Sequence, residues 1–181
     1  MNAIILYGSQ YGSARRYAEH LAQQTGIAAL RYQDAPPLAD LPLIVYLGGL
    51  YAGGVLGLRQ TLRGFSPGPG QRLLLATVGL ADPAMEENRD HIRRALQRQL
   101  PAGIWAQTRL FHLRGAMDYA RLTRLHRTMM ALLHRSLQKR PAQTWSEEDR
   151  ALMETYGKRV DFVDLDALRP LAAEIERGRH G

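Results

Sequence analysis

Ile4-Ile5-Leu6-Tyr7-Gly8-Ser9-Gln10-Tyr11-Gly12-Ser13-Ala14-Arg15-Arg16-Tyr17-Ala18-Glu19-His20-Leu21-Ala22 is the stretch that decides how this chain folds. Its opening β-branched and aliphatic run reads as a buried strand. The run stops in a loop of small and hydroxylated residues, and an amphipathic helix starts directly behind it. Backbone N–H groups, two serine hydroxyls and the positive end of a helix dipole therefore meet at one point, an arrangement that binds a phosphate. Such a loop after the first strand predicts a phosphorylated cofactor at the carboxyl edge of a parallel sheet.

The spacing excludes the better-known phosphate loops. A Walker loop needs G-x-x-x-x-G-K-[ST], but Ser13 and Ala14 stand where its second glycine and lysine belong. A dinucleotide fingerprint needs G-x-G-x-x-G, and Gly8 and Gly12 fit neither spacing. No paired carboxylates follow the strand. What remains is a Ser/Thr-x-x-Gly-Ser/Thr loop of neutral donors, suited to a buried monoester phosphate that is never transferred. It resembles the first loop of the flavodoxin family, roughly T-x-T-G-x-T, which wraps the phosphate of FMN. Ser9 matches the first hydroxyl and Gly12 the glycine, while Tyr11 and Ala14 replace the other two threonines. Ser13 offers a hydroxyl one residue early. The resemblance implies FMN, with its phosphate on Ser9, Gln10, Tyr11, Gly12 and Ser13 and with Ala14 as a further cofactor-binding candidate.

At 181 residues the chain reads as one domain over 1–181, and its 45% hydrophobic content is ample for a core. With no cysteine, it has no disulfide, thiolate metal site or cysteine nucleophile. The stretch from Leu41 to Leu58 is uncharged, but five glycines and Pro42 make it a strand followed by a glycine loop rather than a membrane span. The N-terminal apolar run lacks the basic lead of a signal peptide, so the expected location is cytoplasmic. The net charge is +7. Between Arg109 and Arg140 lie Arg109, Arg114, Arg121, Arg124, Arg127, Arg135, Lys139 and Arg140 against the single acid Asp118. That segment carries the whole net charge, and the remainder is neutral. No nucleic-acid recognition motif accompanies it, so no nucleic-acid partner is expected.

Strands are predicted near Ala3–Tyr7, Ala28–Tyr32, Leu43–Leu47, Arg72–Thr77 and Arg109–Leu113, and helices near Ser13–Gln24, Val55–Arg63 and Pro83–Gln99. This alternation predicts an α/β three-layer sandwich around a five-stranded parallel sheet of order 2-1-3-4-5. The ligand then sits where the strand order reverses, so the loops after the third and fourth strands should touch it. The third is followed by Gly48-Gly49-Leu50-Tyr51-Ala52-Gly53-Gly54, where glycines permit close approach. Gly49, Leu50, Tyr51, Ala52 and Gly53 are candidates there, with Tyr51 to stack on the ring. The fourth is followed by Thr77, Val78, Gly79 and Leu80, whose backbone groups are expected at the ring's polar edge.

From Tyr119 to about Lys139 the sequence reads as a basic amphipathic helix. Leu122, Leu125, Met129, Leu132, Leu133 and Leu137 form an apolar stripe, and Arg121, Arg124, Arg127, Arg135 and Lys139 surround it. This pattern fits a membrane-surface or partner-binding helix, and equally a helix packed on its own sheet with a solvated basic face. His112, His126 and His134 are not at metal-ligand spacing and read as surface or substrate-proximal residues. Ser146 is the expected N-cap of a further helix with acids in its first turn. This arrangement resembles the long-chain branch of the flavodoxin superfamily, in which an insertion interrupts the last strand. The resemblance implies that Arg109–Leu113 and Val160–Val163 are its two halves, about 46 residues apart. A basic helical insertion is thus expected at about 114–159.

Beyond the phosphate loop, Leu113-Arg114-Gly115-Ala116-Met117-Asp118-Tyr119, the basic helix and Asp161-Phe162-Val163-Asp164 resemble the menaquinone-dependent protoporphyrinogen oxidase family, a long-chain branch of the flavodoxin superfamily. That resemblance implies an FMN-dependent, quinone-coupled oxidation of an anionic tetrapyrrole in heme biosynthesis, peripheral on the inner face of the cell membrane. Arg114, Arg121, Arg124 and Arg127 are the candidates for substrate or anionic-membrane contact. No side chain stands out as an acid–base catalyst. A flavodoxin-type electron carrier and a flavin-free binding module share the fold and stay open at this point.

Overall fold

The computed structural model describes residues 2–51 and 54–180, the side chains of Arg179 and His180 excepted. In chain order the elements are β1 (Ala3–Gly8), α1 (Ser13–Thr25), β2 (Ala29–Arg31), β3 (Leu43–Tyr51), β4 (Gly54–Val55), α2 (Leu58–Thr61), β5 (Arg72–Gly79), α3 (Glu86–Gln99), α4 (Ala102–Ala106), β6 (Thr108–Arg114), β7 (Ala116–Asp118), α5 (Arg124–Gln138), α6 (Glu147–Thr155), β8 (Arg159–Asp161) and α7 (Arg169–His180).

Five strands run parallel in the order β2-β1-β3-β5-β6, the arrangement expected from the alternation of strand and helix. The central strands are apolar at almost every position because both sheet faces are covered. Ile5, Val45, Leu47, Leu74 and Ala76 pack with Tyr17, Ala18 and Leu21 of α1 and with Leu171 and Ile175 of α7. Their neighbours Ile4, Leu6, Ile44, Tyr46, Leu73 and Leu75 point the other way, to Leu58, Ile92, Leu96 and Ile104. Alternate residues of one strand thus feed two cores.

Three details differ from the sequence reading. The third strand extends to Tyr51 rather than ending at Leu47, because Gly48 and Gly49 keep pairing with Thr77 and Val78, and Tyr51 then pairs with Gly54. The helix expected over Val55–Arg63 shrinks to α2, since Val55 belongs to β4 and Gly57 turns at a φ of 79°. The stretch near Val160 does not complete the last strand of the main sheet. As β8 it pairs antiparallel with β7 in a separate two-stranded sheet. The bond from Phe162 N–H to Gly115 O extends that hairpin, so residues 115–161 form a lobe closed on itself.

Within this lobe α6 opens with a capping box, in which Ser146 and Asp149 each bond the other's backbone N–H. Trp145 donates its indole N–H to Leu137 O (3.1 Å), and His134 stacks on Tyr156 at 3.9 Å between ring centres, tying α5 to α6. Among the described residues no helix is long and apolar enough to cross a membrane.

Candidate functional site

The first loop is built by glycines and hydroxyls. A Cβ on Gly8 would lie 2.0 Å from Leu56 O, and one on Gly48 would lie 2.1 Å from Val55 Cγ1. These glycines therefore let the chain's own residues 55–56 cross the strand ends, a use the sequence reading had reserved for a ligand. Gly12 adopts the left-handed φ of 95° at the N-cap of α1. Ser9 Oγ accepts the Gly12 N–H at 3.1 Å, and Ser13 Oγ accepts the Ala116 N–H at 2.8 Å. A hydroxyl whose oxygen already accepts keeps its own proton for donation. Both serines are thus O–H donors beside the first turn of α1, where N–H groups have no intrahelical acceptor.

This loop opens into a cavity of about 380 Å³. Ser9, Gln10, Tyr11, Ser13 and Ala14 line one end, Gly49, Leu50 and Tyr51 a second side, and Val78, Gly79 and Leu80 a third. Helix α5 roofs it with His126, Met129, Met130 and Leu133, and α6 adds Glu148 and Leu152. Three segments chosen from sequence are therefore brought to one place. Gly12 lines a neighbouring cavity, and Ala52 and Gly53 lie outside the described residues. Thr77 is not among the lining residues. It is 1% exposed, and its hydroxyl shares a 2.7 Å bond with His112 Nδ1 on the adjacent strand. Burial, with Arg93 and Arg89 nearby, lowers the His112 pKa to about 4.

Two residues outside the loops chosen from sequence define the site: His126, read there as surface or substrate-proximal, and Glu148, read as a first-turn acid. His126 joins both lips of the cavity: its Nδ1 hydrogen-bonds the Tyr11 hydroxyl, and its Nε2 the Tyr51 hydroxyl at 3.0 Å. Both tyrosine rings meet the imidazole edge-on at 5.7 Å. Glu148 reaches in from α6 against the end of β5. Burial pushes its carboxyl pKa up, against the lowering influence of the Ala81 and Leu80 backbone N–H groups, and Oε1 has no hydrogen-bond partner. These contacts join residues 115 and 75 positions apart for His126, so no local motif announces them.

The basic residues divide. Arg114 is engaged inside the protein: it donates to Leu80 O through Nε (3.2 Å) and Nη2 (2.9 Å) and lies 3.8 Å over the Phe162 ring. Arg121 lines a second cavity of about 610 Å³ beside the loop, together with Gly12, Arg16 and Arg159. Arg16 is bonded there to Asp161 at 2.7 Å. Arg124 and Arg127 are exposed on α5, away from both cavities.

A partly open, largely apolar slot continuous with a loop of neutral O–H and N–H donors fits a flat ring system carrying one phosphate, and its volume lies in the range of small-molecule sites. A comparison with curated proteins found no match. Among solved structures, oxidised flavodoxin 1 from Bacillus cereus is 15% identical, with a TM-score of 0.42 over 63% of this chain and 84% of that one. A point mutant of flavodoxin from Pseudomonas aeruginosa is 18% identical, with a TM-score of 0.37 over 73% of this chain and 93% of that one. Residues 4–144 match the family model described as the flavodoxin domain, so the chain belongs to that family, a flavoprotein family whose cofactor is FMN.

Proposed function

We propose that this chain is an FMN-dependent oxidoreductase that passes electrons to a quinone at an anionic membrane surface, with protoporphyrinogen oxidation as its reaction. The observation that carries the membrane part is the roof of the cavity. Helix α5 contains no acid, and Leu125 and Leu132, which do not line the cavity, are 67% and 60% exposed beside Arg124, Arg127, Arg135 and Lys139. Apolar side chains framed by cations fit the interface of an anionic bilayer. The same helix covers the cofactor cavity, so docking would bring a lipid-borne acceptor close to it.

The protein's own groups have separable tasks in this reading. Ser9 and Ser13 donate O–H bonds to the phosphate, reinforced by the first-turn N–H groups and dipole of α1. Ala14, Leu50, Val78, Met130 and Leu152 keep water from the ring. The Tyr11–His126–Tyr51 bridge fastens the roof across the opening, with Tyr51 at the ring's margin. Arg121, in the cavity beside the phosphate loop, is placed for a propionate carboxylate, whereas Arg114 is already committed to Leu80 and Phe162. FMN, when bound, supplies the acceptor for the substrate's electron pair and its onward transfer.

The test combines binding and turnover. Purified protein should take up stoichiometric FMN, and Ser9→Glu should weaken that uptake by at least about 100-fold, because a carboxylate then faces the phosphate. The loaded protein should oxidise protoporphyrinogen with a menaquinone analogue in anionic vesicles. A protein that stays colourless in excess FMN would overturn the cofactor site and favour a binding module. A flavin-loaded protein inert toward both partners would leave an electron carrier.

A further inference from the structure

The second cavity, of about 610 Å³, lies between the start of α1 and the hairpin of β7 and β8. Arg16, Arg121 and Arg159 line it with Asp118 and Asp161. Both carboxylates are committed. Asp161 accepts from Arg16 at 2.7 Å and from the Val163 N–H at 3.0 Å, and the Arg16 guanidinium holds its carboxyl below the usual carboxylate range. Asp118 accepts the Ala120 N–H at 2.9 Å and lies 3.8 Å from Arg159. The Arg121 side chain has no ion pair or hydrogen bond among the described residues. Three cations against two anions therefore leave one positive charge unmatched. Neither α1 nor α5, whose N-cap residues Gly12 and Thr123 line the cavity, places an acid in its first turn to offset that charge.

The rest of the lining indicates what kind of molecule carries the balancing anion. Tyr11, Met117 and Val160 present aromatic and apolar surface, and the volume exceeds that of the first cavity. A bare inorganic anion would leave that surface unused, whereas an organic acid covers it and sets its carboxylate on Arg121. We propose that this cavity is a second ligand site, which takes a small organic monocarboxylate through Arg121. Gln10, Tyr11, Ala116 and Met117 line both cavities, so the two ligands sit on either side of one wall. Tyr11 in that wall is bonded to His126, which also holds Tyr51, so the acid meets the residue that fastens the roof of the first cavity. The site extends the part given to Arg121 above, yet it stands on its own lining and on neither the flavin nor the tetrapyrrole reading.

The probe is 2-naphthoate, with its uncharged carboxamide as the control for shape, titrated calorimetrically into the full chain with and without saturating FMN. The wild type should bind the acid about tenfold or more tightly than the amide, the gain expected from a hydrogen bond to a charged group. Arg121→Gln should remove that preference and leave the affinity for the amide unchanged. Arg15→Gln, in neither cavity, should keep it. Both arginines are exposed, so melting temperatures should not move. FMN should change the affinity for the acid by no more than a few-fold. A wild type that binds neither probe, binds both equally, or keeps its preference in Arg121→Gln would overturn the assignment. So would an equal loss in Arg15→Gln, which would make the attraction a diffuse surface charge, or displacement of the acid by FMN, which would put it in the first cavity. A chain that binds the acid but no FMN would overturn the flavin reading and leave this site standing.

Discussion

Helix α1 buries Ala14, Tyr17, Ala18 and Leu21 to 1% exposure or less, whereas α5 leaves Leu125 67% and Leu132 60% exposed. Both helices are amphipathic, and both run along the same ligand cavity. The difference is what their apolar sides meet. Those of α1 lie on the sheet and against α7, while α5 is tied to its surroundings by Leu122, Leu137 and the aromatic contacts of its lobe. Periodicity reports that a helix has two faces, but not which surface each face will meet. In this molecule the pattern means core in one place and an exposed apolar surface in another.

Truncation breaks that comparison most sharply. Leu21→Ala should cost about 2–5 kcal/mol of folding stability, because a fully buried leucine leaves a cavity in close-packed surroundings. Leu132→Ala should stay within about 0.5 kcal/mol, as for exposed substitutions generally. Denaturant titration of both variants measures this directly, and similar losses would place α5 in the core.

The two regions also treat their histidines differently. His126 and His134 sit among tyrosines in the lobe, whereas His112 on β6 bonds Thr77 and is held neutral by burial, with Arg93 and Arg89 nearby. Its folded pKa of about 4 lies below the unfolded value of 6.5. The unfolded chain therefore binds the extra proton first, and stability is fully present above pH 6.5 and falls as the pH drops toward 4. The loss is on the order of 2 kcal/mol. Stability measured across that window should decline in the wild type and lose this component in His112→Gln. An unchanged slope would remove His112 as its source.

Much of the frame was legible in the sequence, for a physical reason. Strands buried on both faces must be apolar at successive positions, so Ile4–Tyr7, Leu43–Leu47 and Arg72–Thr77 are visible as runs, and the loops that follow them converge on one cavity. The extension of β3 through Gly48 and Gly49 was not visible, since glycine signals freedom and only the returning Val55 and Leu56 show what that freedom admits. Glu148 read as an ordinary first-turn acid of α6. Its place beside Gly79 depends on how the lobe folds back, as does the bridge from His126 to Tyr11 and Tyr51. The pairing of β8 with β7, instead of with the main sheet, was hidden for the same reason. Local pattern fixes elements, while contacts between distant segments build the rest of the site.

The exposed face of α5, in the function proposed, docks on an anionic membrane. Co-sedimentation with vesicles containing anionic lipid, for the FMN-loaded chain and for the variant with Arg124, Arg127 and Arg135 of α5 changed to Glu, tests this most directly. Each basic residue near such a surface contributes on the order of 1 kcal/mol, so three reversals should weaken binding by several orders of magnitude, and added salt should weaken the wild type. Flavin content and melting temperature should stay unchanged. A folded, flavin-loaded variant that sediments like the wild type would contradict the docking and make α5 a roof alone.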